Sequence, residues 1–479
     1  MKILYAASEA VPFCKTGGLA DVAGSLPPAL AEQGAETAVI LPLYRRVREK
    51  FADQLTFLCY DYVDLAWRHT YCGLFSMKKD GVTWYFLDNE QYFDRPELYG
   101  YVDDGERFGF FSRAVVKMLD HLEFWPDVIH CNDWQTALIP IYLKDDGVRE
   151  DRYRSIRTVL TIHNIEYQGR YDPYCLGDLF GLDRGWVDDG TLLLDGDLNL
   201  LKGAILTADA VNAVSPTYAQ ELKNPYFAHR MEGILTQCGY KLSGVLNGID
   251  MKLYDPAADG RITANYTAED LSGKAADKTA LQNLMGLNEE PNTPIIAMVS
   301  RLVSHKGLDL LREVMGDIME LPAQFVVLGS GDAGYEEFFR RTAERYPGRM
   351  AVRLGYNEAL SMAIYAGADL FLMPSRSEPC GLSQMISMRY GTVPIVRETG
   401  GLKDTVQPYN EFENTGDGFS FANYNGEELL NIVNYSKNVF FEHKSNWNKM
   451  VDRGMRKDYS WNTSRSYYEG MYRYLLGEA

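Results

Sequence analysis

The chain has 479 residues, more than one ordinary hydrophobic core holds, so its length predicts two or more domains. Apolar residues make up 46% of it and charged residues 24%, which is typical of a soluble globular protein. A formal net charge of −18, with no basic tract to offset it, argues against nucleic acid as a partner.

Cysteine use and the N-terminal residues indicate the compartment. The seven cysteines are scattered, odd in number and without a C-x-x-C pair, which favours reduced thiols over disulfides or a zinc site. The apolar run Ile3–Ala7 is too short for a signal peptide, and no apolar stretch is long enough to span a bilayer. We therefore expect a cytoplasmic protein without a membrane partner.

The first elements in chain order are a strand, a glycine turn and a helix. Ile3–Ala7 predicts the strand, and the apolar spacing of Leu19–Gln33 predicts the helix. Pro27 and Pro28 are expected to break or reset that helix. The turn between strand and helix includes Lys15-Thr16-Gly17-Gly18-Leu19-Ala20-Asp21-Val22.

The glycine turn is a candidate phosphate-binding loop. Gly17 and Gly18 let the backbone approach a ligand closely, and the helix N-terminus offers unpaired N–H groups to an anion. Lys15 adds a mobile positive charge. The pattern is neither the dinucleotide-binding fingerprint nor the P-loop. The same residues also fit a tight strand-to-helix turn that binds nothing.

Strands and helices continue to alternate through the first half. Further strands are predicted at Ala38–Pro42, Thr83–Leu87, Asp127–His130, Arg157–Ile162 and Ala210–Ser215, and a helix is predicted over Phe108–Phe124. Because the strands are unbroken apolar runs between helices, they indicate a parallel sheet covered on both faces.

The pattern restarts after a junction near Gly244–Asp250. Residues Pro256–Leu287 are polar and expected to be helical. Two consecutive Rossmann-like series predict two domains with a ligand cleft between them. The strands of the second series are predicted at Pro294–Ser300, Phe325–Gly329, Ala351–Leu354, Leu370–Met373 and Val393–Val396.

Two cations follow the first strand of the second series. Arg301 and Lys306 lie in Ser300-Arg301-Leu302-Val303-Ser304-His305-Lys306-Gly307, at the strand's carboxyl end, where such sheets bind ligands. Arg offers a planar, two-pronged donor to phosphate oxygens, and Lys offers a compact charge. The alternative is a pair of solvated surface cations.

A third candidate is the loop Pro374-Ser375-Arg376-Ser377-Glu378-Pro379-Cys380-Gly381-Leu382-Ser383, which follows the strand Leu370–Met373. Pro374 and Pro379 make this loop rigid and present Glu378. Backbone N–H groups at the start of the next helix can meet phosphate or sugar oxygens. The alternative is a capped helix entry.

These motifs resemble the signatures of bacterial glycogen synthases and plant starch synthases, the ADP-glucose-dependent glycosyltransferases of family 5. The resemblance rests on Lys15–Val22, Ser300–Gly307, Glu378–Leu382 and Thr399–Val406, in the family's order. It implies the α/β GT-B fold, with two facing Rossmann-like domains and an interdomain active-site cleft. The domains it implies are 1–245 on the acceptor side, 246–455 for the nucleotide sugar, and a helix at 456–479 that crosses back to the first domain.

The resemblance also implies roles for residues whose spacing alone is not informative. His163, which follows a strand, matches a His close to the glucose ring, although a lone strand-end His is more often structural. Asn247 matches an Asn that reaches the donor sugar, and Asp133 belongs to a cleft-lining segment. Tyr356 resembles the aromatic residue that packs on adenine, with an ordinary buried Tyr as the alternative. Tyr99 is a candidate sugar contact on the acceptor side.

The resulting candidate site has a catalytic and a substrate-binding set. The catalytic candidates are Glu378, Arg301, Lys306, His163 and Asp133. The substrate-binding candidates are Lys15, Gly17, Gly18, Asp21, Asn247, Tyr356, Cys380, Gly381, Leu382, Ser383 and Tyr99.

The resemblance implies a transfer reaction. Glucose passes from ADP-glucose to the non-reducing 4-OH of an α-1,4-glucan, with retention of the anomeric configuration. We expect no metal and no cofactor, and the sequence is compatible with a homo-oligomer. Three rivals stay open: a UDP-glucose-dependent transferase such as a disaccharide synthase, a glucan-binding protein with a decayed site, and a phosphorylase that requires pyridoxal phosphate.

Four positions depart from the usual pattern. Gln135 stands where relatives more usually have His, His305 where they often have Gln, and Asp104 where they often have Asn. Ile386 stands eight positions after Glu378, where many transferases of this architecture carry a second Glu. That departure is expected of the glycogen and starch synthase branch, and it leaves ribose recognition to other groups.

Overall fold

The computed structural model describes residues 1–147 and 150–478. The chain divides into two compact units. Unit 1 comprises residues 1–248 and 461–479, and unit 2 comprises residues 249–460.

Unit 1 is built on a mixed sheet with helices packed against it. Its strands are β1 (Lys2–Ala6), β2 (Glu36–Pro42), β3 (Thr56–Leu65), β4 (Arg68–Lys79), β5 (Val82–Asp88), β6 (Val128–Asn132), β7 (Arg157–Ile162), β8 (Arg170–Tyr171), β9 (Leu193–Leu194), β10 (Asp197–Asn199), β11 (Ala210–Ala213) and β12 (Leu242–Gly244). Its first helices are α1 (Gly18–Ala31), α2 (Arg45–Phe51), α3 (Glu90–Phe93), α4 (Asp104–Met118), α5 (Leu138–Gly147), α6 (Cys175–Phe180), α7 (Gly185–Asp188), α8 (Leu200–Thr207), α9 (Pro216–Glu221) and α10 (Glu232–Gln237).

The strand order of the main sheet is β12-β11-β7-β6-β1-β2-β5-β4-β3. The strands from β12 to β5 run parallel, with Ile3 of β1 opposite Thr37 of β2 and Val128 of β6. These central strands are apolar and buried on both faces, as parallel strands between helices must be. A small separate sheet has the order β8-β10-β9.

The expectation of an all-parallel sheet is wrong at one edge. β4 runs antiparallel to β5, and β3 pairs with β4 in an antiparallel hairpin. Only Ala66 and Trp67 separate the two hairpin strands, too few residues for a parallel crossover. Exposed and buried residues alternate over the last part of β3, which is the pattern of a strand that is solvated on one face.

The expected interruption of the first helix is also wrong. α1 is continuous from Gly18 to Ala31 and carries Pro27 and Pro28 inside it. Proline's fixed φ is compatible with a helix, although each proline removes an N–H donor and crowds the carbonyl four residues earlier. Burial of an apolar face that includes Leu26 and Leu30 favours the continuous helix.

Unit 2 is built on a parallel sheet with the order β15-β14-β13-β16-β17-β18. Its strands are β13 (Ile295–Val299), β14 (Gln324–Gly329), β15 (Met350–Leu354), β16 (Leu370–Met373), β17 (Val393–Arg397) and β18 (Phe419–Phe421). Its helices are α11 (Ser272–Met285), α12 (Leu308–Glu320), α13 (Ala333–Arg345), α14 (Glu358–Gly367), α15 (Ser383–Arg389), α16 (Gly400–Thr405), α17 (Gly426–Glu442) and α18 (Lys444–Arg456).

Two predicted helices have different limits in the structure. Only Ser272–Met285 of the polar segment 256–287 is helical, and the segment before it is folded by side-chain bonds, such as those from Thr263 and Ala264 N–H to Asp277 Oδ1. The helix predicted over 108–124 begins earlier, at Asp104, and ends at Met118.

The last helix, α19 (Trp461–Leu476), belongs to unit 1. Its Tyr468 and Tyr472 are fully buried there. Tyr472 OH lies 2.6 Å from His130 Nδ1, and Asn212 Nδ2 donates to Tyr468 OH at 2.9 Å. The end of the chain is therefore fixed to the centre of the unit 1 sheet by polar contacts.

Candidate active site

In unit 1 the turn between β1 and α1 is closed by a buried carboxylate. Glu9, 3% exposed, accepts hydrogen bonds at Oε2 from Thr16 N at 2.5 Å and Thr16 Oγ1 at 2.7 Å. Burial raises the pKa of Glu9 to about 7, although its bonds to Thr16 and Gly17 oppose that rise. A large fraction of Glu9 is therefore neutral near physiological pH.

The glycine pair opens the first turn of α1. Gly17 is the extended N-cap residue, and Gly18 is the first residue of the helix. A Cβ at Gly18 would meet no heavy atom of the described residues within 4 Å, so the backbone is open to an approaching ligand. Lys15 Nζ donates to Asp21 Oδ1 at 2.7 Å, which holds the cation beside this helix start.

Tyr99 reaches the same turn from a distant part of the chain. Its hydroxyl lies 2.7 Å from Ser8 Oγ, while Tyr44 OH donates to Ser8 O at 2.9 Å. Burial raises the pKa of Tyr99 well above its ordinary value, so its hydroxyl keeps its proton. The structure thus brings Tyr99 together with the N-terminal turn.

Asp133 follows β6 with a left-handed φ of 54° and ψ of −171°. Its Oδ1 accepts from His163 N at 2.7 Å and Asn164 N at 3.4 Å, which holds the end of β7 beside the end of β6. Burial raises the pKa of Asp133 to about 7; the two backbone donors lower it, and Glu9 adds a smaller rise. A non-glycine residue in this region of φ/ψ space is costly, which is typical of functional sites.

His163 is oriented by the strand next to its own. Its Nε2 lies 2.9 Å from Asn132 Oδ1, at the end of β6. Burial lowers the pKa of His163 to about 3, so the imidazole is neutral at physiological pH. The ring can therefore exchange hydrogen bonds with a neutral hydroxyl.

Asn247 lies just beyond β12, at the end of unit 1. It is 6% exposed, and within residues 1–147 and 150–478 its buried Oδ1 has no hydrogen-bond donor. A buried amide oxygen without a donor costs about 1–3 kcal/mol. This atom is therefore available to a hydroxyl or amine of a ligand.

In unit 2 an ion pair joins the other two motifs. Lys306 Nζ donates to Glu378 Oε2 at 2.6 Å, and Ser375 Oγ donates to the same oxygen at 3.1 Å. Burial alone would raise the pKa of Glu378, but the Lys306 ammonium and the Ser375 hydroxyl bring that pKa below its ordinary value. Glu378 is therefore ionised at neutral pH.

Close backbone approach brings these two loops together. Gly307 has φ +75°, and a Cβ there would lie 2.0 Å from Pro374 O. Arg376 N donates to His305 O at 2.8 Å across the same junction. Gly400 supports the loop from the other side, because a Cβ there would lie 2.0 Å from Glu378 O. Only glycine fits at these two positions.

The remaining unit 2 candidates lie at the same carboxyl edge of the sheet. Arg301 follows β13 and is exposed, and Tyr356 follows β15 with 73% of its surface exposed. The alternative interpretation of Tyr356 as an ordinary buried tyrosine is therefore wrong. Cys380, Gly381, Leu382 and Ser383 form the entry to α15, where Gln384 Nε2 donates to Cys380 O at 3.1 Å and Gly381 O at 2.9 Å.

Sequence reasoning missed three supporting residues. Glu9 holds Thr16, next to the candidate Gly17, and Asn132 contacts the candidate His163. Buried Arg397 donates from Nη1 to Arg376 O at 2.9 Å, in the Glu378 loop. Each lies at the carboxyl end of a strand or just after it, and this position is the feature of the sequence that could have identified them. Their partners are distant in sequence or unremarkable in type, so the pattern did not identify them.

Two family models match the chain. The model described as the starch synthase catalytic domain matches residues 2–237, and the model described as glycosyl transferases group 1 matches residues 284–439. A protein named glycogen synthase from Lactobacillus acidophilus is 45% identical over 477 residues, which cover 100% of each chain. The chain belongs to the glycogen synthase family. A second member, from Lachnospira eligens, is 48% identical over 475 residues, with 99% of each chain covered.

Solved structures agree with this family membership. The catalytic domain of starch synthase IV from Arabidopsis thaliana, bound to ADP and acarbose, matches with a TM-score of 0.91 and 33% identity, covering 99% of each chain. Sucrose-phosphate synthase from Thermosynechococcus elongatus matches with a TM-score of 0.62 at 16% identity, which bears on the fold alone. The expected GT-B class is confirmed for this glycogen synthase family member.

Residues 1–147 and 150–478 contain neither a candidate membrane span nor a candidate metal site. No helix there combines the length and the apolar character needed to cross a membrane. No group of three or more His, Cys, Asp and Glu side chains in the same part of the chain could hold a metal ion.

Proposed function

We propose that this protein transfers glucose from ADP-glucose to the non-reducing 4-OH of an α-1,4-glucan, with retention of the anomeric configuration, and releases ADP. The observation that carries the proposal is the full-length likeness to proteins named glycogen synthase, 45% and 48% identical. We assign the glucan side to residues 1–245, the nucleotide-sugar side to 246–455, and the last segment, which contains α19, to 456–479. The protein would act in the cytoplasm without a metal or cofactor.

The leaving diphosphate is the group that most needs stabilisation. As the glycosidic bond to phosphate breaks, negative charge grows on the phosphate oxygens while the sugar becomes oxocarbenium-like. Lys306 and Arg301 supply positive charge, and N–H groups at Gly17-Gly18 and Cys380–Ser383 supply further donors. Each such contact is worth about 2.7–4 kcal/mol of activation free energy, by analogy with oxyanion-hole donors.

Lys306 is suited to this task by its partner. Glu378 holds the ammonium in place at 2.6 Å and remains ionised, because its pKa is lowered. Part of the Lys306 side chain, 16%, is exposed, so a phosphate oxygen can share the ammonium with the carboxylate. The free oxygen Oε1 of a carboxylate can accept a hydrogen bond from a sugar hydroxyl at the same time.

The glucose ring would be held by acceptors with different charge states. Neutral His163 and the amide oxygen of Asn247 accept hydrogen bonds from sugar hydroxyls without adding charge, while Glu378 accepts them as an anion. The buried Oδ1 of Asn247 receives no hydrogen bond from the described residues, which supports its role as an acceptor for the sugar. Asp133, with a pKa raised to about 7, lies beside His163 and polarises the hydroxyls of the bound sugar.

Three further contacts complete the assignment. Lys15, held by Asp21, would meet the donor, and Tyr99 would contact the acceptor sugar. The exposed ring of Tyr356 would stack on adenine, because an aromatic face provides apolar contact for a base.

Retention requires attack on the same face from which diphosphate departs, or two successive inversions. Two inversions would need a carboxylate nucleophile on the opposite face, and none of the candidate residues takes that role, so we propose front-face attack. The departing phosphate oxygen accepts the proton of the acceptor 4-OH as the new bond forms. Proton transfer to the leaving group keeps charge from accumulating on the acceptor.

The test measures initial rates of nucleotide release with glycogen, comparing ADP-glucose and UDP-glucose. We expect ADP formation, transferred glucose that α-amylase releases from the outer chains of the glycogen as short α-1,4-linked products, and far slower turnover with UDP-glucose. Preference for UDP-glucose would overturn the base assignment, and a disaccharide product would overturn the acceptor. Glucan binding without turnover would support a decayed binding protein, and phosphate-dependent turnover with pyridoxal phosphate absorbance would support a phosphorylase.

A further inference from the structure

The side-chain amide of Asn132 is oriented by contacts at both its nitrogen and its oxygen. Nδ2 donates to Ala6 O at 2.9 Å, while Oδ1 lies 2.9 Å from Tyr5 OH and 2.9 Å from His163 Nε2. Reversing the amide would place Oδ1 against the Ala6 carbonyl oxygen, two acceptors without a proton between them. The amide orientation is therefore fixed by the β1 backbone.

This orientation decides which nitrogen of His163 carries a proton. An amide oxygen only accepts, so the contact with His163 exists only when Nε2 bears hydrogen. Asn132 is completely buried, so the contact is shielded from competing water. A neutral imidazole has one N–H, which leaves Nδ1 with a lone pair.

The rest of His163 is also fixed. Its backbone N–H donates to Asp133 Oδ1 at 2.7 Å, so the ring is held at both the main chain and Nε2. None of the hydrogen bonds found among residues 1–147 and 150–478 uses Nδ1 of His163. That nitrogen can therefore act only as an acceptor toward a bound molecule.

We propose that Asn132 is a positioning residue that fixes the Nε2–H tautomer of His163, so that Nδ1 accepts a hydrogen bond from a hydroxyl of the donor sugar. The inference rests on the proposed function for the identity of that sugar. The tautomer itself is a property of the free protein and does not depend on any reaction. Tyr5 and the Ala6 carbonyl act on His163 only through Asn132.

The direct test is ¹⁵N NMR of the full chain labelled at the histidine imidazole nitrogens. The chain has seven histidines, and loss of one signal set in His163→Gln assigns His163. At pH 7.5 we expect Nε2 to show the shift of a protonated nitrogen and Nδ1 that of an unprotonated one. An Nδ1–H tautomer, an imidazolium or an even mixture in the wild type would overturn the proposal.

Variants of Asn132 test whether this residue fixes the tautomer of His163. Asn132→Leu removes the acceptor and should convert the His163 signals to a mixture of tautomers. Asn132→Asp, which when protonated can still donate to Ala6 O and accept from Nε2–H, should retain the wild-type tautomer. Unchanged His163 signals in Asn132→Leu would overturn the role of Asn132. If Asn132→Leu does not fold, the wild-type spectrum and Asn132→Asp still decide the tautomer.

Kinetics provide the second readout. We expect kcat with ADP-glucose to fall about 10- to 100-fold in Asn132→Leu and to recover in Asn132→Asp, with KM for glycogen nearly unchanged. Wild-type turnover in Asn132→Leu would contradict the inference. Absence of ADP-glucose turnover in the wild type, with the expected tautomer intact, would instead contradict the proposed function alone.

Discussion

Lys306 and Glu378, 72 positions apart in sequence, meet at 2.6 Å at the carboxyl edge of the unit 2 sheet. The pair joins the loop after β13 to the loop after β16, neighbouring strands of that sheet. Taken alone, the Lys306 loop could be a pair of surface cations, and the Glu378 loop could be a capped helix entry. Their contact supports the interpretation of both as parts of one site.

The pair has a consequence for stability. Lys306→Met leaves Glu378 buried without its cation, which we expect to lower the free energy of unfolding by about 3 kcal/mol at pH 7. Lys306→Met combined with Glu378→Gln should recover part of that loss. Urea denaturation measures both. Equal stability of the single and double variants would contradict the coupling.

The same pair predicts an acid-side pH dependence. The pKa of Glu378 is lower in the folded state than in the unfolded state, so its stabilising contribution is present above the ordinary glutamate pKa. It is lost as pH falls through the folded pKa. We expect the free energy of unfolding to decline less steeply on acidification in Glu378→Gln than in the wild type. Parallel curves in denaturation series below about pH 4.5 would contradict this.

Glu9 predicts a pH dependence of stability with the opposite sign. Its pKa is raised from 4.5 to about 7, so the folded state holds a proton that the unfolded state has released. Stability should therefore fall as pH rises from 4.5 to 7, by about 3 kcal/mol. Glu9→Gln keeps an acceptor for Thr16, so it should match the wild type near pH 4.5 and exceed its stability at pH 8. Denaturation at both pH values tests this, and a variant less stable at pH 8 would refute it.

Gly307 predicts a steric effect with a matched control. Gly307→Ala places a methyl group against Pro374 O and requires φ of +75°, so we expect a loss of at least about 2 kcal/mol. Gly316→Ala, in the middle of α12 with no described heavy atom within 4 Å of the new methyl group, should gain about 0.5–1 kcal/mol. Thermal unfolding compares them. A Gly307→Ala midpoint at or above the wild type would contradict the close approach.

The C-terminal helix gives a further prediction. Tyr472→Phe removes the hydroxyl 2.6 Å from His130 Nδ1 inside unit 1, which should cost about 1–3 kcal/mol. Tyr474→Phe is the control, because Tyr474 is 74% exposed and should change little. Urea denaturation measures the free energy of unfolding of both variants. Equal losses in the two would refute the anchoring role of Tyr472.

The sequence predicted the central strands and the strand-end motifs because both depend on local pattern. Apolar runs identify buried parallel strands, and polar residues just after them must lie at one sheet edge. Arg301, Glu378, Asp133 and His163 all follow strands for this reason. Tyr356 follows β15 in the same way, although its exposure could not be read from its type.

The missed features depend on tertiary contacts. Continuity of α1 through Pro27 depends on the apolar face that the helix buries. The β3–β4 edge differs from the all-parallel expectation because a short turn, rather than strand composition, sets its direction. Asn132 contacts Tyr5 and His163, which are 127 and 31 positions away, so no local pattern reveals its role.

The most direct test of the proposed reaction and its diphosphate site is the rate of ADP formation from ADP-glucose and glycogen by the wild type and by Lys306→Ala. Lys78→Ala is the control, since Lys78 is 78% exposed on β4. We expect steady turnover by the wild type and the control, and a kcat lowered about 100- to 1,000-fold in Lys306→Ala. Wild-type turnover in Lys306→Ala would contradict the diphosphate site, and no ADP from any of the three proteins would contradict the proposed reaction.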